Sequence, residues 1–282
     1  MSIPYFTLGE SGLPLLFLHA NGYPPECYRP LITRLSEHYH VTSMRQRPLW
    51  PNSRPEEIKD WTPLTDDFLR FLDEHQTGAS IAVGHSLGGI VALRAALRQP
   101  DRFRALVLID PVLFPPYFIR SWQVIRALGL GYQLHPLVLA ARAARDRRHQ
   151  FDDLDRLFKG YRRKSVFRYM GDSALRAYVE GIACPGEHGY KLCYSADWEM
   201  RIYVTSVWSD MDIWRGLPAL NIPLLIVRGA ETDTFWASTA RRVQRKVPSA
   251  QVVTIPQATH LVPLECPDEV YQAIQEFFQE NL

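Results

Sequence analysis

Ser86 stands in VGHSLGG (Val83–Gly89), between an apolar run, ASIAV, and a second run, IVALRAAL, whose Ile90, Leu93 and Leu97 recur at helical spacing. A hydroxyl at a strand-to-helix turn, flanked by Gly84 and Gly88, suits a chain that must bend sharply. It is either a turn filler or a nucleophile. A serine alcohol reacts near neutral pH only with a base in hydrogen-bond reach, a group orienting that base, and donors for the developing oxyanion. The base is sought first. Of the nine histidines only His19, His85 and His260 fall at strand ends. His85 adjoins Ser86, and neighbouring side chains on a tight turn point apart. His19 precedes a loop with another use. His260, in TIPQATHLVPLE, is the candidate base. For the acid, LLIVRGAETDTFW offers Asp233, with Glu231 in the same loop, and LVLID ends on Asp110. Asp233, which fits the chain order Ser–Asp–His, is preferred, with Asp110 second, since either loop could reach the imidazole from a strand end. The N–H of Leu87, at a helix start, is one oxyanion donor. The second is assigned to Asn21 in LFLHANGYPP, with Ala20 as the neighbouring choice.

These residues need a scaffold that collects strand ends on one side. Apolar runs at 13–20, 40–46, 79–86, 105–110, 222–230 and 250–255 read as strands of a covered parallel sheet. PLTDDFLRFLDEH and PDEVYQAIQEFF carry helical apolar patterns, the second opening on Pro267, Asp268 and Glu269. Alternating strands and helices predict an α/β protein with a mostly parallel, doubly wound sheet, whose site lies at the carboxyl ends of its strands. Between Val112 and Asp212 the strand rhythm stops. FIRSWQVIRALGL, PLVLAARAARDRRHQ, DDLDRLFKGYRRK and SALRAYVEG read as helices. The expectation is a core of 1–111 and 213–282 with a helical cap inserted at 112–212. Residues 111–170 hold 12 Lys or Arg against 4 Asp or Glu. Such charge coats solvated helix faces, or attracts an anionic substrate or lipid surface.

GHSLGG, LHANGYP, RGAETD and ATHLVPLECPDEV, in this order, resemble the nucleophile elbow, oxyanion loop, acid and histidine of α/β-hydrolase-fold serine hydrolases with a helical cap. The resemblance spans nearly the whole chain and implies the Ser–Asp–His order. Ala20 stands where these proteins usually have glycine. A serine at the elbow disfavours epoxide opening and dehalogenation, which use aspartate there. The implied activity is hydrolysis of carboxylic esters of small to medium apolar substrates through an acyl-enzyme. The alternatives are a specialised substrate (lactone, thioester or the C–C bond of a diketone) and a non-catalytic binding protein. Substrate-binding walls are expected from Tyr23, Trp50, Phe114, Phe118 and Trp122, and Arg45 and Arg47, near a strand end, read as surface arginines with carboxylate binding as the alternative.

The bulk composition narrows the classes further. The chain has 282 residues, 46% hydrophobic and 22% charged, with a formal net charge of +2. That balance fits a globular protein and gives no global attraction to nucleic acid. The opening MSIPYFTLGESG lacks a basic leader, so no signal peptide is expected. ALGLGYQLHPLVLAA is interrupted by Gly, Gln, His and Pro and is shorter than the ~18 residues of a membrane span. No Cys/His cluster or His-Glu-x-x-His pattern occurs, so neither metal nor cofactor is expected. Cys27, Cys184, Cys193 and Cys266 are sparse and read as free thiols of a cytoplasmic protein, although Cys184 and Cys193 bracket a short loop and could pair if oxidised. The expected partner is a small ester-like molecule, with the chain a monomer or homodimer.

Overall fold

A computed structural model describes residues 2–75, 78–130 and 138–282. The strands and helices run, in chain order, β1 (Tyr5–Leu8), β2 (Leu13–Leu18), α1 (Arg29–Leu35), β3 (Tyr39–Met44), α2 (Thr62–Glu74), β4 (Ser80–His85), α3 (Leu87–Arg98) and β5 (Phe103–Ile109). The segment that follows holds α4 (Pro116–Ala127), α5 (Val138–Arg145), β6 (Gln150–Phe151), α6 (Leu154–Arg162), α7 (Asp172–Ile182), β7 (Ala183–Pro185), β8 (Tyr190–Leu192), α8 (Ala196–Thr205) and α9 (Met211–Gly216). The chain then returns with β9 (Leu224–Gly229), α10 (Ala237–Lys246), β10 (Gln251–Ile255), α11 (Val262–Glu265) and α12 (Pro267–Asn281).

The seven-stranded sheet has the order β1-β3-β2-β4-β5-β9-β10. All neighbours are parallel except β1, which pairs antiparallel with β3 from Tyr5↔Met44 to Leu8↔Val41. The six runs read as strands all form strands within this sheet. β1 was not foreseen. It is four residues long with mostly exposed side chains, so it carries no apolar signature. β4 is buried at every position, as a central strand covered on both faces must be. Its odd and even residues feed two different cores. Ile81 and Val83 pack with Leu15, Phe17, Val107 and α12, and Ala82 packs with α2 and α3.

Residues 112–212 lie between β5 and β9 and are not wholly helical, contrary to the expectation. β6, β8 and β7 form a three-stranded antiparallel sheet. Strands of two or three residues are too short to display a period of two. Cys184 and Cys193 are likewise not free thiols. The β7–β8 pairing, with Cys184 opposite Lys191, brings their Cα atoms within 5.1 Å and they form a disulfide. Cys27 and Cys266 are free. Arg94 of α3 is buried and fastens the end of the inserted segment to the core, donating to Asp210 and to Asp212 at 2.8 Å each. Residues 131–137, which belong to the ALGLGYQLHPLVLAA run and to the start of the PLVLAA helix reading, lie outside the described residues. No helix among the described residues is long and apolar enough to cross a membrane.

Candidate active site

Ser86 joins β4 to α3 with φ 55° and ψ −116°, a region that non-glycine residues avoid. The strain is sustained by what surrounds it. Ser86 N–H donates to Ile109 O at 3.0 Å, and Ile90 N–H reaches back to Ser86 O. The flanking glycines allow close backbone approach. A Cβ on Gly84 would lie 2.4 Å from Gly88 O, and one on Gly88 would lie 2.2 Å from Leu18 O. Any side chain there would force β4, α3 and β2 apart.

His260 Nε2 lies 2.9 Å from Ser86 Oγ, and His260 Nδ1 lies 2.9 Å from Asp110 Oδ1. A carboxylate only accepts, so Nδ1 carries the proton, Nε2 is bare, and the Ser86 hydroxyl donates to it. The carboxylate that meets the His260 ring is therefore Asp110, the second candidate from the sequence, and not the preferred Asp233. Asp110 directly follows β5, the strand beside β4, which leads into Ser86. It is fully buried and, like Ser86, has positive φ. Gly229 N–H donates to its Oδ2 at 2.9 Å, and the Thr232 and Thr234 hydroxyls donate to its Oδ1 at 2.5 and 2.8 Å. Burial pushes this carboxyl up. The hydrogen bond and charge of His260, with the Thr232 and Gly229 donors, outweigh burial and hold it below the ordinary value. Asp233 sits between those two threonines. Side chains on either side of it turn inward to Asp110, and its own is turned out to solvent on the cavity wall.

The histidine loop is braced from its other side. Glu265 accepts Thr259 N–H at 2.6 Å and Thr259 Oγ–H at 2.8 Å. The loop that carries Asn21, the expected oxyanion donor, is also held by hydrogen bonds. Gln46 N–H donates to His19 Nε2 at 3.1 Å, so His19 Nδ1–H donates to Ala20 O at 2.9 Å. Burial lowers the His19 pKa to about 4 and keeps the ring neutral. Tyr23 N–H also donates to Ala20 O. In a trans peptide C=O and N–H point oppositely, so pinning the Ala20 carbonyl turns the Asn21 N–H the other way. Ala20 N–H is already committed to Tyr28 Oη at 3.1 Å, which removes it as the alternative donor. The Asn21 side chain is engaged separately, donating to Glu199 O at 3.0 Å.

A cavity of about 500 Å³ opens over Ser86 and His260. Its walls include Asn21, Tyr23, Ser165, Arg168, Tyr203 and Asp233. Of the aromatic walls expected from sequence only Tyr23 lines it. Phe114 is buried and stacks on Phe118, and both contact Trp236, so they join the inserted segment to the core. Trp122 meets Phe118 edge-on, and Trp50 packs over the guanidinium groups of Arg47 and Arg70. Arg45 is paired with Glu26, and Arg47 is bidentate to Asp67 at 2.7 Å. Neither arginine lines the cavity. Thr232, Thr234, Tyr203 and Arg168 were not anticipated. Thr232, Asp233 and Thr234 lie in a bend after β9 and not in a strand, so their pattern gave no readable period.

Residues 15–273 match the alpha/beta hydrolase family. The 2-(acetamidomethylene)succinate hydrolase of Mesorhizobium japonicum is 27% identical over 95% of this chain and 88% of its own length. The (E)-2-((N-methylformamido)methylene)succinate hydrolase of Acinetobacter baylyi is 21% identical over 98% of this chain and 93% of its own. The crystal structure of E-2-(acetamidomethylene)succinate hydrolase superposes with a TM-score of 0.76 at 25% identity, covering 98% of this chain and 94% of that one.

Proposed function

The chain belongs to the alpha/beta hydrolase family, and from that premise we propose that it is a serine hydrolase working through Ser86, His260 and Asp110. The single observation that carries this reading is the His260 ring, hydrogen-bonded to Ser86 Oγ on one nitrogen and to Asp110 on the other, beneath an open cavity. Ser86 Oγ attacks a substrate carbonyl and passes its proton to His260 Nε2. Asp110 keeps Nδ1 protonated and stabilises the imidazolium. The N–H groups of Leu87 and Asn21 bind the oxyanion. His260 then protonates the leaving group, and water, activated by the same nitrogen, hydrolyses the acyl-enzyme to restore Ser86.

The substrate we propose is compact and polar, cleaved at an ester, lactone or amide carbonyl, rather than an apolar ester. Hydroxyl and charged groups of Ser165, Arg168, Tyr203, Glu231 and Asp233 stand in the cavity wall among apolar side chains of Val112, Val166 and Leu261, and the aromatic residues Trp50, Phe114, Phe118 and Trp122, which would have favoured an alkyl chain, pack elsewhere. Two relatives whose names specify succinate-derived substrates fit this preference. The test sets wild type beside Ser86→Ala on p-nitrophenyl esters from acetate to palmitate, small lactones, and amides bearing a carboxylate. Turnover should be highest on the short polar substrates and fall at least on the order of 10⁴-fold in Ser86→Ala. An active Ser86→Ala protein refutes the mechanism. A preference for palmitate over acetate refutes the substrate class.

A further inference from the structure

His85 is buried next to the nucleophile, and the mechanism above gives it no task. Its Nε2 lies 2.9 Å from His260 O, and its Nδ1 lies 2.7 Å from Tyr28 Oη. Tyr28, also fully buried, is the group that accepts Ala20 N–H. The protons of this row have one arrangement. A carbonyl only accepts, so His85 Nε2 must carry hydrogen. Nδ1 is then bare and must accept from the tyrosine hydroxyl. That hydroxyl, donating to Nδ1, offers a lone pair to the Ala20 amide. The sequence Ala20 N–H to Tyr28 O–H to His85 to His260 C=O therefore has one polarity from end to end. Burial drives the His85 pKa down to about 3, so the ring stays neutral while His260 takes and gives its proton.

We propose that Tyr28 and His85 are positioning residues that hold the oxyanion loop and the histidine base as one unit. One end of the row fixes the residue immediately before the Asn21 amide. The other fixes the backbone from which the His260 ring hangs. Both groups do their main work in the transition state, where the oxyanion and the imidazolium exist together. A shift of either relative to Ser86 should therefore appear in kcat rather than in substrate affinity. A merely structural role would instead lower the fraction of folded enzyme and leave each surviving site at full speed.

This inference rests on the serine-hydrolase reading. The experiment is steady-state kinetics of Tyr28→Phe, His85→Leu and His85→Gln on the best substrate, normalised to sites titrated with a fluorophosphonate. Tyr28→Phe keeps the ring and deletes only the linking hydroxyl, so it serves even if His85→Leu fails to fold. Its kcat per titrated site should fall on the order of 10- to 100-fold, as misplaced reacting groups do, with KM near wild type. His85→Gln places an amide N–H where Nε2–H stood and should recover much of what His85→Leu loses. Wild-type kcat per site in Tyr28→Phe, or equal losses in the Gln and Leu variants, overturns the proposal alone. Wild-type protein that is not labelled at Ser86 overturns the serine-hydrolase reading and this inference with it.

Discussion

The cavity has two walls built on different physics. Its floor is made of strand ends, where Ser86 and Asp110 hold strained backbone angles because neighbouring backbone leaves them no other. Asp110 there is out of water and satisfied by fixed donors. Its roof comes from the segment between β5 and β9. From it Arg168 reaches Glu231, in the loop after β9, at 2.7 Å and Tyr169 donates to the same carboxylate, with the arginine and glutamate side chains 45% and 41% exposed. An ion pair this wet contributes little to stability, so it can exchange partners at little cost. In the proposed mechanism the floor is arranged in advance for charge that develops during reaction. The roof can be re-sorted by whatever enters.

The largest expected effect tests the floor. Asp110→Asn should lower kcat by about 10⁴-fold, because the amide can no longer fix the tautomer with Nδ1 protonated. Asp233→Asn should change kcat by less than about tenfold, as expected of a cavity-wall group that does not touch the base. Equal losses in the two variants would erase the distinction between them. A smaller effect tests the roof. Glu231→Gln releases the Arg168 guanidinium and should lower KM for carboxylate-bearing substrates by about tenfold or less, with kcat and neutral-substrate KM little changed. Arg168→Gln should raise KM for the same substrates. Identical shifts for neutral and anionic substrates would show that the pair does not sense charge.

The smallest effect concerns acid stability. His19 and His85 sit on the floor side with pKa values lowered by burial to about 4 and about 3. Between those values and the ordinary 6.5 the unfolded chain binds protons that the folded one refuses, so stability declines as pH falls from 6.5 toward 4. Asp210, which anchors the inserted segment through Arg94, has the opposite sign. Burial raises its carboxyl to about 6, so protonation favours the folded state as pH falls through 6. Urea midpoints from pH 7 to 4 should decline gently, and more steeply once Asp210→Asn removes the opposing contribution. A midpoint that rises on acidification would contradict the neutral, buried state of the two histidines.

The same division governs what could be read before the structure was in hand. Ser86, His260 and six core strands are legible because a covered parallel strand must be a continuous apolar run, and reactive residues must follow it directly. Asp110 was visible as the end of LVLID, yet choosing between it and Asp233 requires knowing which side each residue of the T-D-T loop faces. That is decided by Gly229 and the threonine hydroxyls, which meet Asp110 only in three dimensions. Phe114 and Phe118 illustrate the other failure. Their apolar surface says they will be buried, but not whether a ligand or Trp236 will do the burying. The β7–β8 hairpin, and the disulfide it permits, is too short to leave a pattern.

Asp110 is reached by the chain before the inserted segment begins, so the proposed nucleophile, acid and oxyanion amides belong to a single stretch, Asn21 through Asp110. The base and the two threonines that steady the acid all come after the insertion. The reacting set is thus divided between two consecutive pieces of chain, with the exposed turns of residues 112–212 as the seam. A protein cut at that seam would hold its nucleophile in one fragment and its proton acceptor in the other, and catalysis would become a reporter of whether the halves had found each other.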